Sequence, residues 1–250
     1  MTRKKKIKNQ YKMTYSKKNS TGRSRIKSGM TNGGSSMTRG WRSFLQIFYF
    51  PYDVKAAFHC DPALRGKFFA VFELFMYQGL WAILFHRISH FLYTLKIPIL
   101  PRFISQVMRF LTGIEIHPGA FIDKGFFIDH GMGVVIGETV EIGKNVLMYH
   151  QVTLGGSSLN AGKRHPTIGD NVLLGAGSKL FGPIHIGNDC QIGGGAVVFK
   201  DVPSHSVVVG NPGRIIKRHG KKVVTEIVDQ TALPDPILQR IEALEKKIKK

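Results

Sequence analysis

Two short stretches carry most of the groups able to do acid–base or anion-binding work: Asp129-His130, with Glu115 upstream of it, and Arg164-His165. An imidazole can take a proton from a hydroxyl near neutral pH, and a neighbouring carboxylate can fix its ring and steady the imidazolium that forms. An adjacent Asp-His pair is also a common structural arrangement, and both readings stand at this point. Arg164 offers different chemistry. A guanidinium presents paired donors that fit a carboxylate, and this one ends a glycine-containing loop of the kind that reaches over a neighbouring surface. A solvated basic loop is the competing reading.

Both stretches interrupt a repeat that must position them. Aliphatic residues recur every six positions in three runs: Ile116, Ile122, Ile128 and Val134; then Ile136, Ile142, Met148 and Leu154; then Ile168, Leu174, Leu180, Ile186, Ile192 and Val198. Seven of these are followed by glycine: Gly137, Gly143, Gly155, Gly169, Gly175, Gly187 and Gly193. A second small or aliphatic residue stands two places before most of them, at Val140, Val146, Val152, Val172, Ile184 and Cys190. One aliphatic plug and one turn glycine per six residues is the pattern of a parallel β-helix, whose coils bury their plugs only by stacking. Three registers require two breaks, over 127–135 and 155–167. The polar groups inserted there have no use in a coil core, so function is expected at the breaks.

Around the coil the texture differs. Residues 41–112 read as helices from apolar positions at three- and four-residue spacing: Phe68, Phe69, Phe72, Phe75 and Met76, then Leu80, Ile83, Leu84, Ile88, Phe91 and Leu92. Asp61-Pro62 is a helix start, with Asp as N-cap and Pro in the first turn. Ile97-Pro98 and Leu100-Pro101 break the pattern before a last helix over about 103–111. Val208 to Arg214 reads as a turn-rich exit from the coil. Leu233-Pro234-Asp235-Pro236 opens an amphipathic helix with Ile237, Leu238, Ile241, Leu244 and Ile248 on one face, expected to pair across subunits. The expected organisation is a basic tail (1–40), a helical domain (41–112), the coil (113–216) and a C-terminal tail (217–250).

The net charge of +20 is concentrated: residues 1–40 hold twelve Lys and Arg and no acid, so the remainder is only moderately basic. Such a segment cannot bury enough apolar surface to fold, and is expected to be disordered. An arm that touches nucleic acid or an anionic membrane surface, an organelle-targeting peptide and a dispensable extension are its readings; of these the extension is favoured, and no nucleic-acid partner is expected. With 43% hydrophobic residues the remainder can build a core, and 28 glycines are too many for a helical bundle. Two distant cysteines make neither a disulfide framework nor a metal-ligand spacing. No cleavable signal is seen, and the longest apolar stretch is too short to span a bilayer; a soluble, cytoplasmic protein is expected. Six histidines (His117, His130, His150, His165, His185, His205) raise the question of zinc. The five-residue His spacing of a β-helical carbonic anhydrase is absent, so no metal is expected.

The stretches Thr112-Gly113-Ile114-Glu115-Ile116-His117-Pro118-Gly119-Ala120, Phe127 to Thr139 with Asp129-His130 inside it, Val152-Thr153-Leu154-Gly155-Gly156 and Arg164-His165-Pro166 resemble the serine O-acetyltransferase family. Asp61-Pro62-Ala63, His86-Arg87-Ile88 and Leu233-Pro234-Asp235-Pro236 extend the similarity over about 53–246. The resemblance implies an α+β chain: helices, then a left-handed parallel β-helix, against the usual right-handed crossover, assembled as a homotrimer or a dimer of trimers. It implies acetyl transfer from acetyl-CoA to L-serine, giving O-acetyl-L-serine for cysteine biosynthesis. By position His130 matches the general base and Glu115 its orienting carboxylate, an Asp in most relatives. Asp129, Asp61, Arg164 and His165 match the groups that hold the amino acid. Gly156, Ala176 and Gly194 fall where the coenzyme lies. Gly156-Ser157-Ser158-Leu159 replaces a Gly-Thr-Gly-Lys pattern, and Lys250 stands where many relatives end in the isoleucine that docks into cysteine synthase. Acetylation of another hydroxyl, on a sugar or homoserine, is the alternative within enzymes, and an inactive trimeric scaffold the alternative outside them. Arg164 separates the sugar reading, since a sugar has no carboxylate for it.

Overall fold

The computed structural model describes residues 43–64, 70–218 and 244. The expectations for residues 1–40 and for Phe68 and Phe69 lie outside these residues, as does the helix expected after Pro236 except at Leu244, which is helical and exposed.

The helical part contains α1 (Phe50–Cys60), a single 3-10 turn (Pro62–Leu64), α2 (Ala70–Leu74), α3 (Gln78–Thr94) and α4 (Leu100–Thr112). Asp61 does cap, accepting the Ala63 N–H at 2.7 Å, but the turn it opens is 3-10 and three residues long. Helix α4 starts at Leu100 and not near Phe103, because Pro101 sits in the first turn, where a missing N–H costs no hydrogen bond. It ends at Gly113, whose φ of 70° is left-handed.

From Glu115 the chain winds round a three-faced prism. The first face stacks β1 (Glu115–Ile116), β4 (Val135–Ile136), β7 (Thr153–Gly155), β10 (Lys179–Phe181) and β13 (Val197–Val198). The second stacks β2 (Phe121–Ile122), β5 (Glu141–Ile142), β8 (Thr167–Ile168) and β11 (His185–Ile186). The third stacks β3 (Phe127–Ile128), β6 (Leu147–Met148), β9 (Leu173–Leu174), β12 (Gln191–Ile192) and β14 (Ser206–Val209), and β15 (Arg214–Arg218) closes it. Every pairing is parallel except β14 with β15. The exit expected over Val208 to Arg214 therefore begins while the chain is still coil: Val202 bridges to Ile186, and Val208 pairs with Ile192.

Register locates the breaks. Ile136 pairs with Leu154 and Leu180 with Val198, eighteen residues apart in each case. Ile116 pairs with Ile136, twenty apart, and Leu154 with Leu180, twenty-six apart. Two extra residues thus enter between β3 and β4, at the edge joining the third face to the first. Eight enter between β7 and β8, at the edge joining the first face to the second. Both fall where the sequence pattern placed them. One assignment is corrected: Val134 is no plug of the first run. It is buried two places before Ile136, as Val140 is before Ile142, so the first run ends at Ile128.

The helical part docks on the coil through outward-facing apolar residues. Phe127, Leu147 and Leu173, one beneath another on the third face, are buried with Ala57, Leu64 and Leu80. Each of the larger side chains stabilises the junction by about 1.5–3 kcal/mol. Gly79, at the start of α3, lies so close that a Cβ there would stand 2.2 Å from the carbonyl oxygen of Ile128. Beside it runs a buried polar tie. Arg87 donates to Asp53 at 2.8 Å and to the carbonyls of Ile122 and Asp123 at 3.2 Å each. Asp53 also accepts the Gly125 and Phe126 N–H groups, at 2.9 and 3.0 Å. His90 Nδ1 lies 2.8 Å from the Pro118 carbonyl, an acceptor only, so Nδ1 carries the proton and Nε2 accepts from Ser43, 3.1 Å away.

Candidate active site

The first break places Asp129 and His130 at the third-to-first edge. The two extra residues make a tight loop in which Gly131 N–H bonds the Asp129 carbonyl and Met132 N–H the His130 carbonyl. His130 has φ +59°, a left-handed conformation that a non-glycine residue adopts at some cost, and its side chain is 75% exposed. Its Nε2 lies 3.9 Å from Asp129 Oδ1. Because α3 is seated against Ile128, the helical part brings Asp61 and Tyr77 to the same loop: the Tyr77 ring lies tilted against that of Phe127, with centroids 6.1 Å apart, and its hydroxyl donates to Asp61. Burial raises the Tyr77 pKa, and the Asp61 hydrogen bond and the Asp61 and Asp129 charges add to the rise. Burial also raises the Asp129 pKa, with Asp61 adding to it and His130 opposing it. One coil below, the His150 ring meets that of His130 edge-on, with centroids 6.0 Å apart.

Glu115 stands on β1, beside this loop, but pairs elsewhere. Arg102 and Arg109 of α4 hold its two oxygens at 3.2 and 3.4 Å.

The second break places Arg164 and His165 at the first-to-second edge. Thr139 organises them: its hydroxyl oxygen accepts the Arg164 and His165 N–H groups, at 3.1 and 3.2 Å. The Thr139 N–H points at His165 Nδ1, 3.2 Å away, and its hydroxyl is 2.9 Å from the same nitrogen. A backbone N–H only donates, so Nδ1 is unprotonated and the neutral ring carries its proton on Nε2. Burial, then the Arg164 cation, lower the His165 pKa and favour that neutral form. The ring lies over Gly137, where a Cβ would sit 2.2 Å from Nε2. Arg164 Nη2 bonds Glu138 at 2.5 Å. Burial pushes the Glu138 pKa up, but the bond to Arg164 and the charges of His117 and Arg164 outweigh it and hold it low.

One chain therefore does not bring the residues predicted for the site together. Asp61, Asp129 and His130 stand at one edge of the first face and Arg164 and His165 at the other. The width between them is on the order of 15–20 Å, about six extended residues. The small residues divide in the same way. Ala176 and Gly194 lie at the third-to-first edge, in register through the Gly195 N–H to Ala176 O bond of 2.8 Å. Gly156 lies at the other edge, where a Cβ would be 3.4 Å from the Arg164 carbonyl. Sequence reasoning assigned no role to Tyr77, Glu138, Thr139 or His150. Their signal was weak, since all four look ordinary until the coils are stacked. Of the six histidines considered for zinc, His130 and His150 are neighbours, but among the described residues no three His, Cys, Asp or Glu side chains converge as metal ligands. No helix among them is long and apolar enough to cross a membrane.

A stacked coil with ionisable groups at its two breaks defines a hexapeptide transferase, and the family model "Bacterial transferase hexapeptide (six repeats)" matches residues 165–200. Serine acetyltransferase of Bacillus subtilis (strain 168) is 53% identical over 196 residues, 78% of this chain and 88% of that protein. Serine acetyltransferase of Neisseria gonorrhoeae in complex with serine superposes with a TM-score of 0.65 at 36% identity, covering 73% of each chain. That of Brucella abortus strain S19 in complex with coenzyme A superposes with a TM-score of 0.66 at 34% identity, covering 73% of this chain and 74% of that one. The chain belongs to the serine acetyltransferase family, and its coil is the left-handed parallel β-helix of hexapeptide transferases.

Proposed function

We propose that the protein transfers the acetyl group of acetyl-CoA to the hydroxyl of L-serine, giving O-acetyl-L-serine for cysteine biosynthesis. The observation that carries this reading is the matching division of both substrates' residues between the two edges of the first face. An acid–base cluster and two small residues lie at one edge, an arginine, a histidine and Gly156 at the other. An amino acid is far too short to bridge the two edges of one chain. A head-to-tail ring in which one subunit's third-to-first edge meets the next subunit's first-to-second edge completes both subsites at once, and closes as a homotrimer. Relatives solved with serine and with coenzyme A support the substrate pair.

In this arrangement His130 removes the serine hydroxyl proton as the oxygen attacks the thioester carbonyl, and returns it to the departing thiolate. Asp129 and Asp61 face the ammonium. Arg164, exchanging its Glu138 partner for substrate, takes the carboxylate, and neutral His165 donates from Nε2. Glu115, anchored by Arg102 and Arg109, is the carboxylate that orients His130 when the exposed ring turns toward β1. Ala176, Gly194 and Gly156 let the pantetheine arm approach backbone. No metal takes part in the proposed reaction, and the setting is cytoplasmic. The test is thiol release from acetyl-CoA with L-serine, homoserine and a sugar as acceptors. Serine-dependent release that falls by about 100-fold or more in His130→Ala supports the reading. Release indifferent to the acceptor, or none with serine, sinks it.

A further inference from the structure

The stacking of the coils sets His130 in a column. It stands two residues after the plug Ile128; the same place after Met148, Leu174 and Ile192 is held by His150, Ala176 and Gly194. The bonds from Gly177 N–H to His150 O (2.9 Å) and from Gly195 N–H to Ala176 O (2.8 Å) keep these positions one above another along the third-to-first edge. Neighbouring coils are about 4.8 Å apart. His150 is thus between the base and the first of the small residues, its ring edge-on to His130 with centroids 6.0 Å apart. Its Nδ1 is buried with no hydrogen-bond partner, so the fold makes no use of that nitrogen. The opening in the column below it, at Ala176 and Gly194, is where the proposed function lays the coenzyme, and a thioester arriving from there reaches His150 just before His130.

We propose that His150 is a second imidazole of the reaction site, donating an N–H to the thioester carbonyl oxygen as negative charge develops on it. The inference rests on the serine acetyltransferase reading above. The serine Oγ–H bond breaks, its proton going to His130. The Oγ–C bond forms as the carbonyl π pair moves onto oxygen, where the His150 N–H meets it. When that pair returns, the C–S bond breaks and the thiolate takes the proton from His130. Charge on the carbonyl oxygen is largest between these events, so the His150 bond strengthens there and favours the transition state over bound substrate.

The test uses the full-length protein in its native assembly. Steady-state kinetics in both substrates and calorimetric titration with CoA are compared for wild type, His150→Ala and His150→Gln. Loss of one such donor lowers kcat by about 10²–10³-fold. His150→Ala is expected to show that loss, with serine KM and CoA affinity within about threefold, and the amide of His150→Gln to recover roughly tenfold of it. A kcat within threefold of wild type, or a loss that appears as weakened CoA binding, overturns the proposal while leaving the functional reading intact. A wild type unable to acetylate serine overturns both.

Discussion

At the scale of single residues, a neighbour can fix which nitrogen of a ring carries the proton before any substrate arrives. Thr139 is the clearest case, since its backbone N–H commits His165 Nδ1 to accepting. Thr139→Val keeps that N–H but removes the hydroxyl that gathers the Arg164 and His165 backbone, which loosens the loop. A serine KM raised roughly tenfold, with kcat changed far less, is expected from steady-state assays, because the lost bonds position ground-state and transition-state substrate alike. Serine-protected thermal shift gives an independent check. Glu115 makes a sharper test. If it orients His130 while anchored by Arg102 and Arg109, Glu115→Gln lowers kcat by about tenfold with CoA affinity preserved. A lower melting temperature with unchanged kcat would assign Glu115 to the α4 junction alone. Asp129 and His130 were legible as a candidate pair because they interrupt a repeat. The neutral state of His165 was not, because the group that sets it is Thr139, twenty-six residues away.

Between elements, the decisive contact is the seating of the helical part on the third face, since this carries Asp61 and Tyr77 to the His130 loop. Gly79→Ala sets a Cβ 2.2 Å from a backbone oxygen, so α3 must lift. Serine affinity is expected to fall with the site's reach, and unfolding in denaturant to become easier. Arg87→Met strands Asp53 as a buried carboxylate and is expected to cost about 3–5 kcal/mol of stability. Two buried histidines of α3 give the junction a pH dependence. Burial lowers the pKa of His86 and of His90 below the usual 6.5. Their folded-state pKa values lie under the unfolded value, so their contribution is complete above pH 6.5 and is lost as pH falls below it, where the unfolded chain takes up protons first. Chemical denaturation at stepped pH is expected to show stability dropping below that point, with a shallower drop in His90→Gln. The helices themselves were visible in apolar spacing. The start of α4 was misplaced because a proline reads as a break whether it precedes a helix or fills its first turn.

For the molecule as a whole, division of the site between two edges has a consequence that no single chain can meet. Mixing His130→Ala with Arg164→Ala protein, after dissociation and reassembly, is expected to restore activity. A mixed ring of three has one subunit edge with an intact base facing one with an intact arginine. Random assembly therefore yields about a quarter of wild-type sites. Recovery would be measured as serine-dependent thiol release. None at all, with mixed trimers verified by mass, would place each complete site within one chain.

The sequence alone determined the coil, because six-residue spacing of aliphatic plugs has one efficient way to bury them, and it located both breaks, because a lost register is visible along one dimension. It also marked the ionisable groups the breaks contain. Tertiary structure decided which of those groups share a site. Residues that touch across stacked coils lie eighteen, twenty or twenty-six places apart, according to which insertions intervene. Their contact depends on the faces to which they are carried, and nothing in their local pattern records that. So His150 joined His130, Thr139 took hold of His165, and Arg164 was set a whole face away from His130.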